Sequence, residues 1–288
     1  MPDERRLHSN AAGFFGMSGA LHALAQALDG AFVDLALSLG AEREEFGPLL
    51  AVSDLRKIDY FSAFPQLVMF PAHAGREHVA QFARANGAGA SGPLVADRLD
   101  DIDAVLAPAA CYAVYIAASG TTLSQAKRIT VKGTCFRKEE SLVPLVRQTS
   151  FRMREIVHLG SRATIASFLS EARERVLLLA RALGLSTSIE KASDPFFDPA
   201  RSPKYLHATL FPSKHELVSG GVAIGSFNDH RNFFGEAFGI DTAEGAAHTA
   251  CVAFGIERWV HAVLETHGAN PADWPMPKLQ LKAATCSA

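Results

Sequence analysis

Apolar side chains recur at helical spacing from Gly19 to Leu39, ending at Gly40. They do so again from Ser161 to Leu183, where Ile165, Phe168, Leu169, Val176, Leu179 and Leu183 form the strongest amphipathic stripe of the chain. Between Ile129 and Val157 two extended stretches, ITVKGTCFRK and SFRMREIVHLG, flank a loop, a pattern that predicts a long antiparallel hairpin. Strands are also expected at Tyr205 to Phe211 and Glu216 to Ile224, and near Thr249, where an extended stretch turns helical from about Glu257. The intervening segments are less regular. Glu45 to Val52 reads as extended around Pro48, Tyr60 to Phe70 is aromatic-rich, and Ala83 to Gly92 reads as a surface loop. Asp100 to Leu106 and Ala113 to Ala118 suggest a short helix leading into a buried element, and Ser186 to Lys204 a polar excursion. Antiparallel strands with flanking helices predict an α+β fold rather than a doubly wound one.

With 48% apolar residues in 288, the chain can bury a sizeable core, and it is expected to form a single domain over 1–288. Leu21 to Leu39 is broken by His22, Gln26, Asp29 and Asp34, and the MPDERR start lacks the order of a secretory signal. Four cysteines in a chain of this length make no disulfide scaffold. A cytoplasmic protein with reduced thiols is the expectation. The net charge of −2 carries no basic footprint, which counts against a large RNA as substrate. No glycine-rich phosphate loop is present, so a bound nucleotide must be held by side chains, above all by arginines.

Such arginines stand in a distinctive setting. Phe136-Arg137-Lys138-Glu139 is followed by Arg147 and Phe151, and Phe254-Gly255-Ile256-Glu257-Arg258-Trp259 lies a hundred residues on. The first pair of segments resembles motif 2 of class II aminoacyl-tRNA synthetases, and the second resembles their motif 3. The helix 19–39 and the segment bearing Pro48 make a plausible motif 1. The resemblance implies that Arg137 contacts the α-phosphate of ATP, where charge develops at phosphorus. It implies that Arg147 holds the γ-phosphate, that Glu139 meets the adenine edge, and that Phe151 and Arg258 sandwich the base. The segment around Glu216 and Ser219 resembles the synthetase tetrad that supplies oxygen ligands to Mg²⁺ on ATP.

The stretch TACVAFGIERWVHAVLETHG narrows the resemblance to the zinc-dependent seryl-tRNA synthetases of methanogens. By that likeness Cys111, Glu155 and Cys251 hold one zinc ion per chain, with the fourth position open for the substrate's amino group. Cys135 and Cys286 do not match ligand positions. Ser226 and Asn228 lie where the seryl enzymes read their substrate. With motif 1 so near the start, no tRNA-binding domain is expected. The truncated, zinc-containing pattern is similar to bacterial amino acid:[carrier protein] ligases. That resemblance implies activation of a small amino acid as its adenylate, glycine favoured and alanine second, and transfer to the phosphopantetheine thiol of a carrier protein. Helix 161–183 and the excursion 186–204 are candidate docking surfaces. A homodimer is expected through Gly19 to Val52, as in class II relatives, with no tRNA and no membrane as partner. The alternatives are a truncated seryl-type enzyme charging tRNA or another acceptor, and an inactive paralogue with a regulatory role.

Overall fold

A computed structural model describes residues 7–9, 15–91, 95–96, 98–198 and 213–276. Its centre is a seven-stranded sheet built, in chain order, from β1 (Glu42–Glu44), β2 (Lys127–Phe136), β3 (Ser150–Gly160), β4 (Ser188–Ala192), β5 (Lys214–Ser219), β6 (Val222–Arg231) and β7 (His248–Gly255). Across the sheet the order is β1-β2-β3-β7-β6-β5-β4. Only β1 and β2 run parallel; every other neighbouring pair is antiparallel. Five helices matter for the site: α1 (Gly19–Ser38), α2 (Cys111–Ala117), α3 (Arg162–Ala182), α4 (Phe233–Phe238) and α5 (Ile256–His267). The fold is therefore α+β, an antiparallel-rich sheet flanked by helices.

The strand period of two sorts the side chains into two cores. Ile156 of β3 and Ala250, Val252 and Phe254 of β7 point to one face, where α1, α3 and α5 cover them. There Phe32 of α1 stacks on Phe254 at 4.3 Å and meets Trp259 edge-on at 5.1 Å. Burying each such ring contributes roughly 1.5–3 kcal/mol. Val157, Leu159 and Cys251 turn to the opposite face, under α2 and α4. That second face carries the chemistry.

Helix α1 is long and apolar enough to cross a membrane by length and composition. It is instead a core helix, with Leu24, Leu28 and Phe32 fully buried. Its Asp29 takes two hydrogen bonds from Arg154, at 2.8 and 3.1 Å, and one from Lys132 at 3.0 Å. Burial pushes the Asp29 carboxyl up, but Arg154 and Lys132 outweigh it and hold the group below its ordinary value. The apolar face expected to meet a second chain is thus already covered within this one. Leu37 and Leu49 remain exposed in that region.

Several expectations need correcting. The expected extended segment Glu45 to Val52 holds the strand Leu49–Ala51, but a further strand, Glu42–Glu44, precedes it, and Val52 already opens a helix, Val52–Lys57. Ala83 to Asn86 is not a loop but the end of a helix, Val79–Asn86. Asp100 to Leu106 yields a strand, Ala104–Leu106, paired with Leu49–Ala51, and the helix follows it as α2. Short apolar runs do not reveal their element type; pairing partners decided it here. The excursion contains the edge strand β4, and Glu216 to Ile224 is a hairpin turning at Gly220 and Gly221. Both glycines sit at positive φ, 56° and 78°, which the turn requires. The expected strand Tyr205 to Phe211 lies outside the described residues, as does Cys286.

Candidate active site

The β2–β3 hairpin and the start of α5 enclose a cleft lined by Arg137, Glu139, Arg147, Phe151, Glu216 and Arg258. Arg137 stands just past the end of β2 and Phe151 near the start of β3, so the antiparallel register brings the two together. The Arg137 guanidinium lies 5.1 Å above the Phe151 ring, and its Nε donates to the Pro108 carbonyl at 3.0 Å. Arg147 donates to the Glu139 carboxylate at 3.0 Å. Arg258 follows the β7–α5 junction and donates to the carbonyls of Val146 and Ala223, at 2.8 and 2.9 Å. Three guanidinium groups thus converge on one cleft. Burial lowers the Arg258 pKa, and the neighbouring Arg137 adds to the effect. Such a site favours a polyanion.

A second cavity shares Arg137, Met153, Lys214, Ser226 and Ala253 with this cleft, and its floor holds Cys111, Glu155 and Cys251. Glu155 of β3 and Cys251 of β7 come from adjacent strands, where Glu155 pairs with Ala253. Cys111, the first residue of α2, reaches them because β2 passes close beneath at Gly133. A Cβ there would stand 2.9 Å from that of Ala110. Among the described residues this is the cluster of potential metal ligands, its donor atoms all within 4.8 Å of one another and all three residues buried.

Glu155 Oε1 accepts hydrogen bonds from the backbone N–H of Ala110 at 2.8 Å and of Cys111 at 3.3 Å. Burial, together with Cys251, pushes the Glu155 carboxyl up to about 8. A hydrogen bond from Cys111, with His230 in support, pulls the Cys251 thiol down and leaves that of Cys111 high. These three groups, Cys111, Glu155 and Cys251, out of water and within reach of one another, form a potential metal site. Two sulfurs and one carboxylate suit zinc by donor softness and number.

The structure brings Ser226 into both cavities and Asn228 into the second, and places Glu216 in the first. Ser219 is buried at the hairpin end of β5, outside the lining of the cleft. The ring face expected to be shared between Phe151 and Arg258 is covered here by Arg137 instead. Cys135 is fully buried among apolar neighbours, away from the cluster. Sequence reasoning missed three groups. Lys214 lines both cavities and pairs with Asp194 at 2.8 Å and Glu216 at 3.2 Å. Tyr115 and His230 form a hydrogen bond of 3.2 Å, and His230 Nε2 stands 3.9 Å from the Cys251 sulfur. The alternation Ser226, Asn228, His230 was a usable signal for the last of them.

Comparison with known proteins gives the same picture. Residues 94–267 match the family model described as the tRNA synthetase class II core domain for glycine, histidine, proline, serine and threonine. The chain is 36% identical to amino acid--[acyl-carrier-protein] ligase 1 of Bradyrhizobium diazoefficiens, over 82% of this chain and 74% of that protein. It is 28% identical to the type-2 serine--tRNA ligase of Methanopyrus kandleri, over 64% of this chain but only 38% of that enzyme. In fold it is similar to the M. kandleri seryl-tRNA synthetase seen with A. aeolicus tRNASec, with a TM-score of 0.80 at 21% identity. That match covers 95% of this chain and 57% of the synthetase. Motifs, sheet and relatives agree, and the chain belongs to the class II synthetase core family and, within it, to the amino acid--[acyl-carrier-protein] ligases.

Proposed function

We propose that the protein activates a small amino acid, glycine before alanine, with ATP, and passes it to the phosphopantetheine thiol of a carrier protein. The observation that carries this reading is the shared wall between the arginine-lined cleft and the Cys111–Glu155–Cys251 cluster. The cluster is placed to anchor an amino group. A substrate held there directs its carboxylate across Met153 and Ala253 towards Arg137. A zinc ion bound by the three ligands supplies a Lewis acid for the unprotonated amine.

ATP lies in the arginine cleft in this reading. Arg147 meets the outer phosphates and Arg137 the α-phosphate, which draws Arg137 off the Phe151 ring and frees that face for adenine. Glu216, a hard oxygen donor, is suited to the Mg²⁺ that accompanies ATP; Ser219 is a weaker candidate because it stands outside the cleft. A carboxylate oxygen of the amino acid attacks the α-phosphorus, and pyrophosphate leaves with the electron pair of the broken P–O bond. The carrier thiol, deprotonated to solvent, then attacks the carbonyl carbon and AMP leaves, giving the thioester. A thiolate needs little help for that step.

The amine anchor is common to all amino acids, so selection falls to the space around the side chain. Exclusion by bulk admits glycine and rejects larger substrates, whereas a serine site must hydrogen-bond the hydroxyl. Ser226 and Asn228 beside the cluster favour a second reading, a seryl-type enzyme. Amino-acid-dependent ATP–pyrophosphate exchange with glycine, alanine and serine at equal concentration separates the two. We expect glycine fastest, alanine second and serine poor. Fastest exchange with serine overturns the ligase reading of the pocket. Exchange absent with all three, in protein carrying one zinc per chain, supports an inactive paralogue. A phosphopantetheinylated carrier and tRNA, offered in turn, then identify the acceptor.

A further inference from the structure

Each donor of the metal cluster needs to be aimed, and the aim of Cys251 is set by groups outside the cluster. Asn228 stands opposite Cys251 in the β6–β7 register. Its Nδ2 lies 3.3 Å from the Cys251 sulfur, 3.4 Å from the Cys251 carbonyl and 2.9 Å from Ser226 Oγ. Its two hydrogens are thus shared among three acceptors. The next such residue, His230, brings Nε2 to 3.9 Å from the same sulfur and Nδ1 to 3.2 Å from the Tyr115 hydroxyl.

The backbone is built for this. The ladder slips between Asp229 and Arg231, so His230 is the extra residue of a β-bulge. Bulges of this kind re-aim a side chain beside a site. Arg231 completes it at φ 52°, and its N–H is held by the Asp229 carboxylate at 2.9 Å. Tyr115 is fully buried, stacked on Phe234 at 4.1 Å, and Phe234 also meets the His230 ring edge-on at 4.9 Å. His230 stands outside the set of donor atoms that lie mutually within 4.8 Å.

We propose that His230 and Asn228, with Tyr115 behind His230, are positioning residues of the metal centre that donate two N–H groups to the Cys251 sulfur and leave its remaining lone pair facing the ion. A metal-bound thiolate carries no hydrogen, so the proton between the two residues must sit on His230 Nε2. In the neutral ring Nδ1 is then an acceptor, which the Tyr115 hydroxyl satisfies. Tyr115 thereby selects the tautomer, as partners behind metal sites commonly do. This inference rests on the metal reading above.

The test is competition for zinc against a chromophoric chelator, with a parallel Co²⁺ titration that reads the sulfur-to-metal charge-transfer band. Wild-type protein should bind one ion per chain; if it binds none, the metal reading itself fails. Given binding, His230→Ala should weaken zinc about 10–100-fold. It should also shift the Co²⁺ band to lower energy, since a sulfur without its N–H donor holds its electrons less tightly. Tyr115→Phe should give a smaller change in the same direction, and His230→Gln, which keeps an N–H donor, should recover most of the loss. Unchanged zinc affinity and an unchanged band in folded His230→Ala overturn the proposal. If that variant does not fold, an unshifted band and unchanged zinc affinity in folded Tyr115→Phe do so.

Discussion

At the scale of single residues, the two arginines that flank the cleft are held differently, and this sets what their loss should do. Arg137 rests on Phe151 and one carbonyl, so it can move to a ligand, whereas Arg258 is fixed by two carbonyls. Arg137→Ala should lower amino-acid-dependent pyrophosphate exchange on the order of 10²-fold or more, as loss of a transition-state charge contact does. Arg258→Ala should do the same and also loosen the loop carrying Val146. Near wild-type exchange in either variant means that ATP has been placed wrongly. His158 makes a different prediction. It accepts at Nδ1 from Arg128 (3.1 Å), faces Thr164 with Nε2 (3.0 Å) and stacks on Phe168. Burial, reinforced by Arg128, lowers its pKa from 6.5 to about 4. The unfolded chain therefore takes up a proton as the pH falls through 6.5, and the folded chain does not until about 4. The stability this provides is complete above 6.5 and is lost between 6.5 and 4. Urea midpoints from pH 7 to 5 should drop more for wild type than for His158→Gln, which retains both hydrogen-bonding roles. Equal drops would falsify the assignment.

At the scale of elements, helix α3 begins where Ser161 accepts from the backbone N–H of Thr164, a side-chain N-cap. Ser161→Ala should cost about 1 kcal/mol, measurable as a lowered urea midpoint with an unchanged m-value. This helix and the β2–β3 hairpin were legible in the sequence because each is long enough for its period to stand out from its neighbours. The same holds for β7 running into α5, where Gly255 separates a period of two from one of 3.6. What could not be read is instructive. The strand Ala104–Leu106 exists because Leu50 faces Val105 from 55 residues away, and no local pattern encodes that pairing. At the site, the family resemblance pointed to the arginines, to Cys111 and Cys251 and to Glu155, and the structure brings them to two adjoining cavities. Lys214 was not readable, because its role depends on a partner, Asp194, 20 residues away in sequence, and the alternation that marks His230 does not reveal the bulge that aims it.

At the scale of the whole molecule, the monomer covers the apolar face of α1 by itself, so a dimer must form through what remains. Leu37 and Leu49 are exposed there, 42% and 54%. A homodimer with an isologous contact near these residues is expected, and sedimentation at micromolar concentration checks it. A monomeric boundary rules it out, and Leu49→Glu should move a dimer towards monomer. The sheet order has a consequence for how the chain emerges from a ribosome. Strands β1 to β3 form one partial sheet and β4 to β6 another, and the two meet only through β7, which pairs with β3 on one side and β6 on the other. Until residue 255 has left the exit tunnel, both halves expose an open edge of unsatisfied N–H and C=O groups. Cys251 of the candidate metal site arrives on that same last strand. Between the completion of β6 at Arg231 and that of β7 at Gly255, a nascent chain therefore holds two half-sheets whose open edges compete for each other and for those of neighbouring chains, a state in which a chaperone has most to protect.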